Sequence, residues 1–361
     1  AVAASWLASG LIALVIGVET PQRFIGVAWL AMGAALFEFG WWKRLGEFRY
    51  QAYCLGSMGV LALVLSHLLT DWPRAWIPIS AGLAIVYGYS LRASRLAWGG
   101  ACATLLLGLL LLDKLAPAGY VGLSWWLFAV LLFELGLRNC PAPLRTVSWA
   151  AAALATLGVI AAHADAFAKF APRPVWMSYV GAAISAWILA ARAGLFRFAT
   201  AVATLFTLAG IWVVAPDWVV PVVWAALAVL LLVLGLHSDS YLAATLGFLH
   251  IWIVNFPSLE MVGGLSARLV SAVAVAAALY GVEFLAARGS RARAFFSALA
   301  ALLVAGLLWK EVSGSVLTVA WGVQGLLLLA AGFPARERPL RLAGLALLLY
   351  CISKLFFYDL R

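Results

Sequence analysis

The sequence has 361 residues, of which 66% are hydrophobic and 11% charged, with a formal net charge of +10. So few charges cannot cover so much apolar surface in water, which excludes a soluble globular domain. The surplus Lys and Arg lie between apolar runs, where membrane topology places them, so the charge reads as loop charge and excludes a nucleic-acid surface.

In lipid, apolar surface costs nothing provided the backbone hydrogen-bonds within helices. A crossing needs roughly 20 apolar residues. Breaks at charges and prolines predict fifteen spans, at 3–18, 24–42, 50–69, 75–91, 97–113, 120–137, 146–163, 175–191, 198–215, 218–236, 241–256, 269–287, 294–309, 315–333 and 340–358. Only Pro78 and Pro221 fall inside spans, both in a first turn, where proline costs little. The connections are short, so residues 1–361 read as a single membrane domain. No basic segment precedes a cleavage site, so the first span is no signal peptide, and the true N-terminus is expected upstream of Ala1. Cys54, Cys102, Cys140 and Cys351 have no paired spacing and predict neither disulfide nor metal.

Fifteen of the 24 Lys and Arg fall on one side of this arrangement and nine on the other. The richer side is expected to be cytoplasmic. That puts Ala1 inside, Arg361 outside, and Cys140 in a cytoplasmic loop of a bacterial inner-membrane protein.

The chain also repeats. A tryptophan followed eleven residues later by glycine occurs at Trp29/Gly40, Trp125/Gly136, Trp224/Gly235 and Trp321/Gly332. The intervals between tryptophans are 96, 99 and 97 residues. Twenty residues after the tryptophan stand Arg49, Arg145 and Arg341; thirty-eight after it stand His67, His163 and Asp359. The third copy departs, with Ala244 and Val262. Near-equal spacing of four copies predicts a repeat architecture. Residues 1–23 read as the tail of a preceding repeat, 24–119, 120–217 and 218–314 as repeats 1 to 3, and 315–361 as a partial fourth. Four spans per unit is an even number, so the repeats are expected to be parallel, unlike the inverted repeats of many carriers. The fold class expected is therefore all-α, a polytopic transmembrane helical protein of about fifteen spans in parallel four-helix repeats of about 97 residues.

In the last repeat, Trp321, Arg341, Gly344-Leu345, Lys354-Leu355 and Asp359-Leu360 resemble the "W … R-x-x-G-L … K-L-F-x-x-D-L" pattern of the family called domain of unknown function 2339. The resemblance implies a many-pass bacterial membrane protein. Members usually carry an N-terminal polar segment and run on past the final Asp-Leu, so the resemblance implies a fragment or a short relative.

Ionisable groups within spans are functional candidates. Glu38 and Glu134 share one offset from their tryptophans and read either as snorkelling acids paired with basic loops or as a proton site. Glu283, near Arg288 and Arg291, reads the same way. His250, with Trp252 and Asn255 close by, reads as a helix–helix hydrogen-bonding residue or a proton carrier; haem would need a facing histidine pair. The candidate polar site comprises His67, Asp71, His163, Asp165, His250, Lys310, Glu311, Lys354 and Asp359, most of them expected at the outer ends of helices. Either they are solvated helix ends, or they line a cleft for a polar headgroup or sugar. No HExxH, GxSxG or phosphate-binding glycine loop is present in the sequence. No catalytic residue, metal or cofactor is expected.

The function expected is non-enzymatic: transport or presentation of a lipid or glycan of the cell envelope. The alternatives are a structural or accessory subunit of a larger assembly, and a membrane enzyme with an outer-face His/acid site. The partners expected are membrane lipids, an envelope glycan or lipid-linked substrate, and partner membrane subunits, with no nucleic acid. A cavity open to lipid would favour the first reading, a dry interior with a flank against a partner the second, and a convergent His/Asp cluster the third.

Overall fold

The computed structural model describes residues 2–69, 74–92, 97–138, 142–169, 175–194, 197–257, 261–262, 265–285, 290–334 and 338–359, without the side chains of 90–92, 97, 118, 162–169, 175, 176, 283, 284, 315, 358 and 359. Cys140 and Asp71 lie outside the described residues, as do the side chains of His163, Asp165, Glu283 and Asp359.

Among the described residues there are fifteen α-helices: α1 (Val2–Glu19), α2 (Ile25–Trp42), α3 (Gly46–Leu69), α4 (Trp76–Arg92), α5 (Ala97–Leu115), α6 (Val121–Arg138), α7 (Ala142–Lys169), α8 (Val175–Arg192), α9 (Arg197–Val214), α10 (Val220–Val233), α11 (His237–His250), α12 (Ala267–Leu285), α13 (Arg291–Glu311), α14 (Gly314–Gly332) and α15 (Arg338–Lys354). The protein is all-α apart from a two-residue antiparallel pairing of β1 (Met261–Val262) with β2 (Leu265–Ser266). Each helix falls on a predicted span. α7 overruns its prediction at both ends, and α10 falls short at both. α11 and α15 each continue as a π-turn, Ile251–Asn255 and Leu355–Asp359.

By length and composition, nine of these helices are apolar enough to cross a membrane: α1, α2, α3, α5, α6, α7, α9, α13 and α15. The apolar stretches of α4, α8, α10, α12 and α14 are shorter. Large side chains such as Leu61, Leu106, Leu154 and Leu302 are exposed along the helices. Apolar residues all round a helix suit a lipid surrounding.

Internal packing divides the chain into two compact units, Ala1–Ala199 and Thr200–Arg361. In unit 1 the tightest pairs are α2 with α3 and α6 with α7; in unit 2 they are α14 with α15 and α10 with α11. Small residues bring the paired backbones together. A Cβ on Gly26 would lie 2.7 Å from the Gly59 carbonyl oxygen, and one on Gly59 would lie 2.8 Å from that of Gly26. Above this crossing Leu30, Leu63, Ile79 and Leu107 form a core shared by α2 to α5.

The same local contacts recur. The indole Nε1 of Trp29 donates to the Ala13 carbonyl at 2.9 Å, Trp125 to Leu109 at 3.2 Å, Trp224 to Leu208 at 3.1 Å and Trp321 to Ala305 at 2.9 Å, each sixteen residues back in the preceding odd-numbered helix. A Cβ on Gly40, Gly136 or Gly332 would meet the backbone nitrogen of Arg49, Arg145 or Arg341 at 3.0–3.1 Å. The third copy differs for a visible reason. Gly235 adopts φ +79 and ends α10, with Leu236 N–H bonded to Leu231 O and Gly235 N–H to Leu232 O, a Schellman cap. The chain there turns directly at the glycine that is helical in the other copies.

Candidate functional site

In unit 1 the residues that close the α2–α5 packing are small on one flank. Gly56 and Ser57 of α3 face Gly99, Gly100, Cys102 and Ala103 of α5 across a cavity of about 410 Å³. Its floor is Leu30, Val60, Val64 and Val86. The rim residues Leu61 and Leu106 are more than half exposed, so the cavity is a groove open on the flank of the unit. A Cβ on Gly56 would have nothing within 4 Å, so that glycine leaves space unfilled. The volume is in the range of small-molecule sites, about 300–1,000 Å³.

Tyr89 lines the groove and also lines a second cavity of about 330 Å³ with Ala34, Phe37, Glu38, Ala84, Ile85 and Gly88. The Tyr89 ring is held by Phe37, with centroids 5.1 Å apart, and among the described residues its buried hydroxyl has no hydrogen-bond partner. The groove is thus an apolar trough that adjoins, through Tyr89, a second cavity bearing the Glu38 carboxylate. Chemically this suits an amphiphile whose tail lies along α3 and α5.

The residues singled out by sequence behave otherwise. His67 is not a solvated helix end: it is 1% exposed, its Nδ1 lies 2.8 Å from the Leu63 carbonyl oxygen and 2.9 Å from Ser66 Oγ, and its Nε2 is enclosed. In unit 2, Glu311 accepts from Arg268 Nε at 2.6 Å and from Ser266 Oγ at 3.4 Å, tying β2 and α12 to the end of α13. Lys310 Nζ lies 4.8 Å over the Trp309 ring. Lys354 Nζ donates to Thr318 Oγ1 at 2.7 Å and to the Gly314 carbonyl at 3.3 Å, and lies 5.9 Å over the Trp321 ring. The Glu311 and Lys354 contacts join neighbouring helices, and Lys354 reaches Gly314, three residues after Glu311; Lys310 and Trp309 are adjacent on α13. Among the described residues, no group of three His, Cys, Asp or Glu is arranged to hold a metal ion.

Glu134 pairs with Arg192 at 2.7 Å, on the end of α8, and not with Arg138 on its own helix. The bridge between helices expected of His250 is made by its neighbour: Asn255 Nδ2 donates to Ser271 Oγ at 2.9 Å. His250 instead sets its ring edge-on to Trp224, with centroids 5.5 Å apart, and among the described residues neither ring nitrogen has a hydrogen-bond partner. Asn255 Oδ1 and Trp252 Nε1 are also buried and unpaired. These groups lie on and beside the π-turn 251–255, a distortion often found at functional positions.

Sequence reasoning missed the groove, although its glycines were in plain view. The signal that could have found it is Gly56 two helices away from Gly99-Gly100, small residues on facing elements at matched depth. No family model, curated protein or solved structure matches this chain.

Proposed function

We propose that this protein is a non-enzymatic integral membrane protein of the bacterial envelope, built from parallel four-helix repeats, that transports or presents a lipid. The groove along α3 and α5 carries the proposal. It is apolar along its length, open on the flank and adjoined at one end by the cavity that holds Glu38, which matches a lipid and disfavours a glycan. A sugar would need several convergent hydroxyl partners; the hydroxyl-bearing residues lining the groove are Tyr53, Ser57 and Tyr89, and the Tyr89 hydroxyl is buried.

Four indole hydrogen bonds of the same reach support the repeat reading, as do the matching Gly–Arg contacts. In this reading α1 takes the place that α5 and α13 take in later copies, because Trp29 bonds to α1 as Trp125 bonds to α5 and Trp321 to α13. The richer Lys/Arg side faces the cytoplasm, and the terminal motif supports kinship with the domain of unknown function 2339.

The test fills the groove. Gly56→Phe starts its ring from a Cβ that has nothing within 4 Å. Lipid co-purifying with the wild-type chain in mild detergent should be retained at a fixed ratio and be lost from Gly56→Phe, while Gly322→Phe on α14, equally free of neighbours, retains it. Equal lipid on all three proteins would remove the groove as a lipid site.

A further inference from the structure

A second pocket in unit 1 carries an inference that does not rest on the groove. It holds about 630 Å³ at the meeting of the last turns of α6, the first turns of α7, the end of α8 and Phe198. Two guanidinium groups line it. Arg192 is offset by Glu134 at 2.7 Å, whereas Arg145 makes no ion pair among the described residues. One positive charge is therefore uncompensated inside the pocket.

The backbone adds to it. Arg145 and Thr146 stand in the first two turns of the 28-residue α7, where the helix dipole favours an anion. The lining is otherwise aromatic: Trp149, one turn after Arg145 on α7, meets Phe133 of α6 edge-to-face with centroids 6.0 Å apart, and Phe198 is more than half exposed. A cationic fork against an aromatic, apolar wall at the end of apolar helices is the chemistry of a headgroup still attached to its chains. At the same repeat position elsewhere, Arg49 is half-buried with its Nε enclosed and without a hydrogen-bond partner among the described residues, and Arg341 lies 5.4 Å over the Phe333 ring. Arg145 is exposed and faces the pocket.

We infer that this pocket binds the phosphate of an anionic phospholipid, with Arg145 as the principal contact and Arg192 as a second, partly neutralised one. Arginine matches phosphate oxygens in a fork, which a lysine cannot do. Glu134 limits the site by holding Arg192.

The full chain, purified in a non-ionic detergent, is titrated by native mass spectrometry with phosphatidylglycerol and with phosphatidylcholine. Phosphatidylglycerol is expected to bind more tightly. Arg145→Gln should weaken that binding about tenfold, with Arg138→Gln, which lies outside the pocket, changing it less than about twofold. Glu134→Gln should tighten it, because Arg192 is released. Equal binding of the two lipids, or unchanged phosphatidylglycerol binding in folded Arg145→Gln, overturns the proposal. If Arg145→Gln fails to fold, an unchanged affinity in Glu134→Gln overturns it instead. Inorganic phosphate and glycerol 3-phosphate are added as competitors. Displacement by them at millimolar concentration would reassign the site to a soluble phosphate and overturn the lipid source.

Discussion

Gly26→Ala tests the packing from which the architecture follows. The new Cβ would lie 2.6 Å from Leu63 Cγ, 2.7 Å from the Gly59 carbonyl oxygen and 2.8 Å from the Leu63 nitrogen. Two of the three are backbone atoms, so no rotamer change relieves them. Restoring an ordinary separation of 3.4 Å to the carbonyl requires α2 and α3 to part by about 0.7 Å at the crossing. A gap of that order forfeits roughly a quarter to a half of each dispersion contact it opens. The side chains that lose contact are Leu30 and Leu63, both nearly fully buried. Overpacking of this kind costs about 1–3 kcal/mol, and alanine returns about 0.8–1 kcal/mol in helix propensity. The net expectation is a change between no gain and a loss of about 2 kcal/mol. Gly322→Ala supplies the contrast: nothing lies within 4 Å of its Cβ, so propensity alone acts and stability rises by up to about 1 kcal/mol. Reversible unfolding in mixed dodecyl maltoside–SDS micelles, followed by far-UV circular dichroism, reads both. Stabilisation by Gly26→Ala equal to that by Gly322→Ala would refute the close approach of α2 and α3.

Other outcomes follow from the same contacts. Replacing Trp29, Trp125, Trp224 or Trp321 with Phe removes an indole donor whose acceptor sits inside a helix, so no carbonyl is orphaned. Each change should cost about 0.5–1.5 kcal/mol in that unfolding assay, and a cost at one position several times that at the other three would argue against equivalent repeats. His250→Leu removes a buried ring whose nitrogens have no hydrogen-bond partner among the described residues, but also its edge-on contact with Trp224, so stability should change by less than about 1 kcal/mol; a loss above about 2 kcal/mol would show a polar contact that matters. Cys140 should resist a membrane-impermeant thiol reagent in intact cells and react in inverted vesicles, the reverse pattern overturning the orientation.

The helices were legible because their causes are local. Apolar runs, charge clusters and prolines mark ends along one chain, and α2, α4 and α6 end within a residue or two of expectation. The end of α10 at Val233 is a different matter. Gly235 looks like Gly40 in sequence, and its left-handed φ depends on the turn that follows. The tryptophan spacing pointed at the right residues without showing their partners, since a hydrogen bond to a backbone carbonyl sixteen residues back leaves no mark on the acceptor's identity. Charged residues were legible as a set but not as pairs. Glu134 meets Arg192 across two helices, and His67 turns inward to a carbonyl, because side-chain partners are set by helix rotation. The groove was hidden for the opposite reason: it is made of side chains that are absent, at Gly56, Gly99 and Gly100.

The most direct test of the central claim places a lipid in the groove by chemistry. The full chain in bilayers containing a phospholipid with a photoactivatable diazirine in mid-chain is irradiated, digested and mapped by mass spectrometry. The account predicts adducts concentrated on the α3 and α5 peptides around Ser57 and Cys102, and their loss in Gly56→Phe. Adducts spread evenly over the exposed apolar faces of all the helices, unchanged by Gly56→Phe, would contradict it.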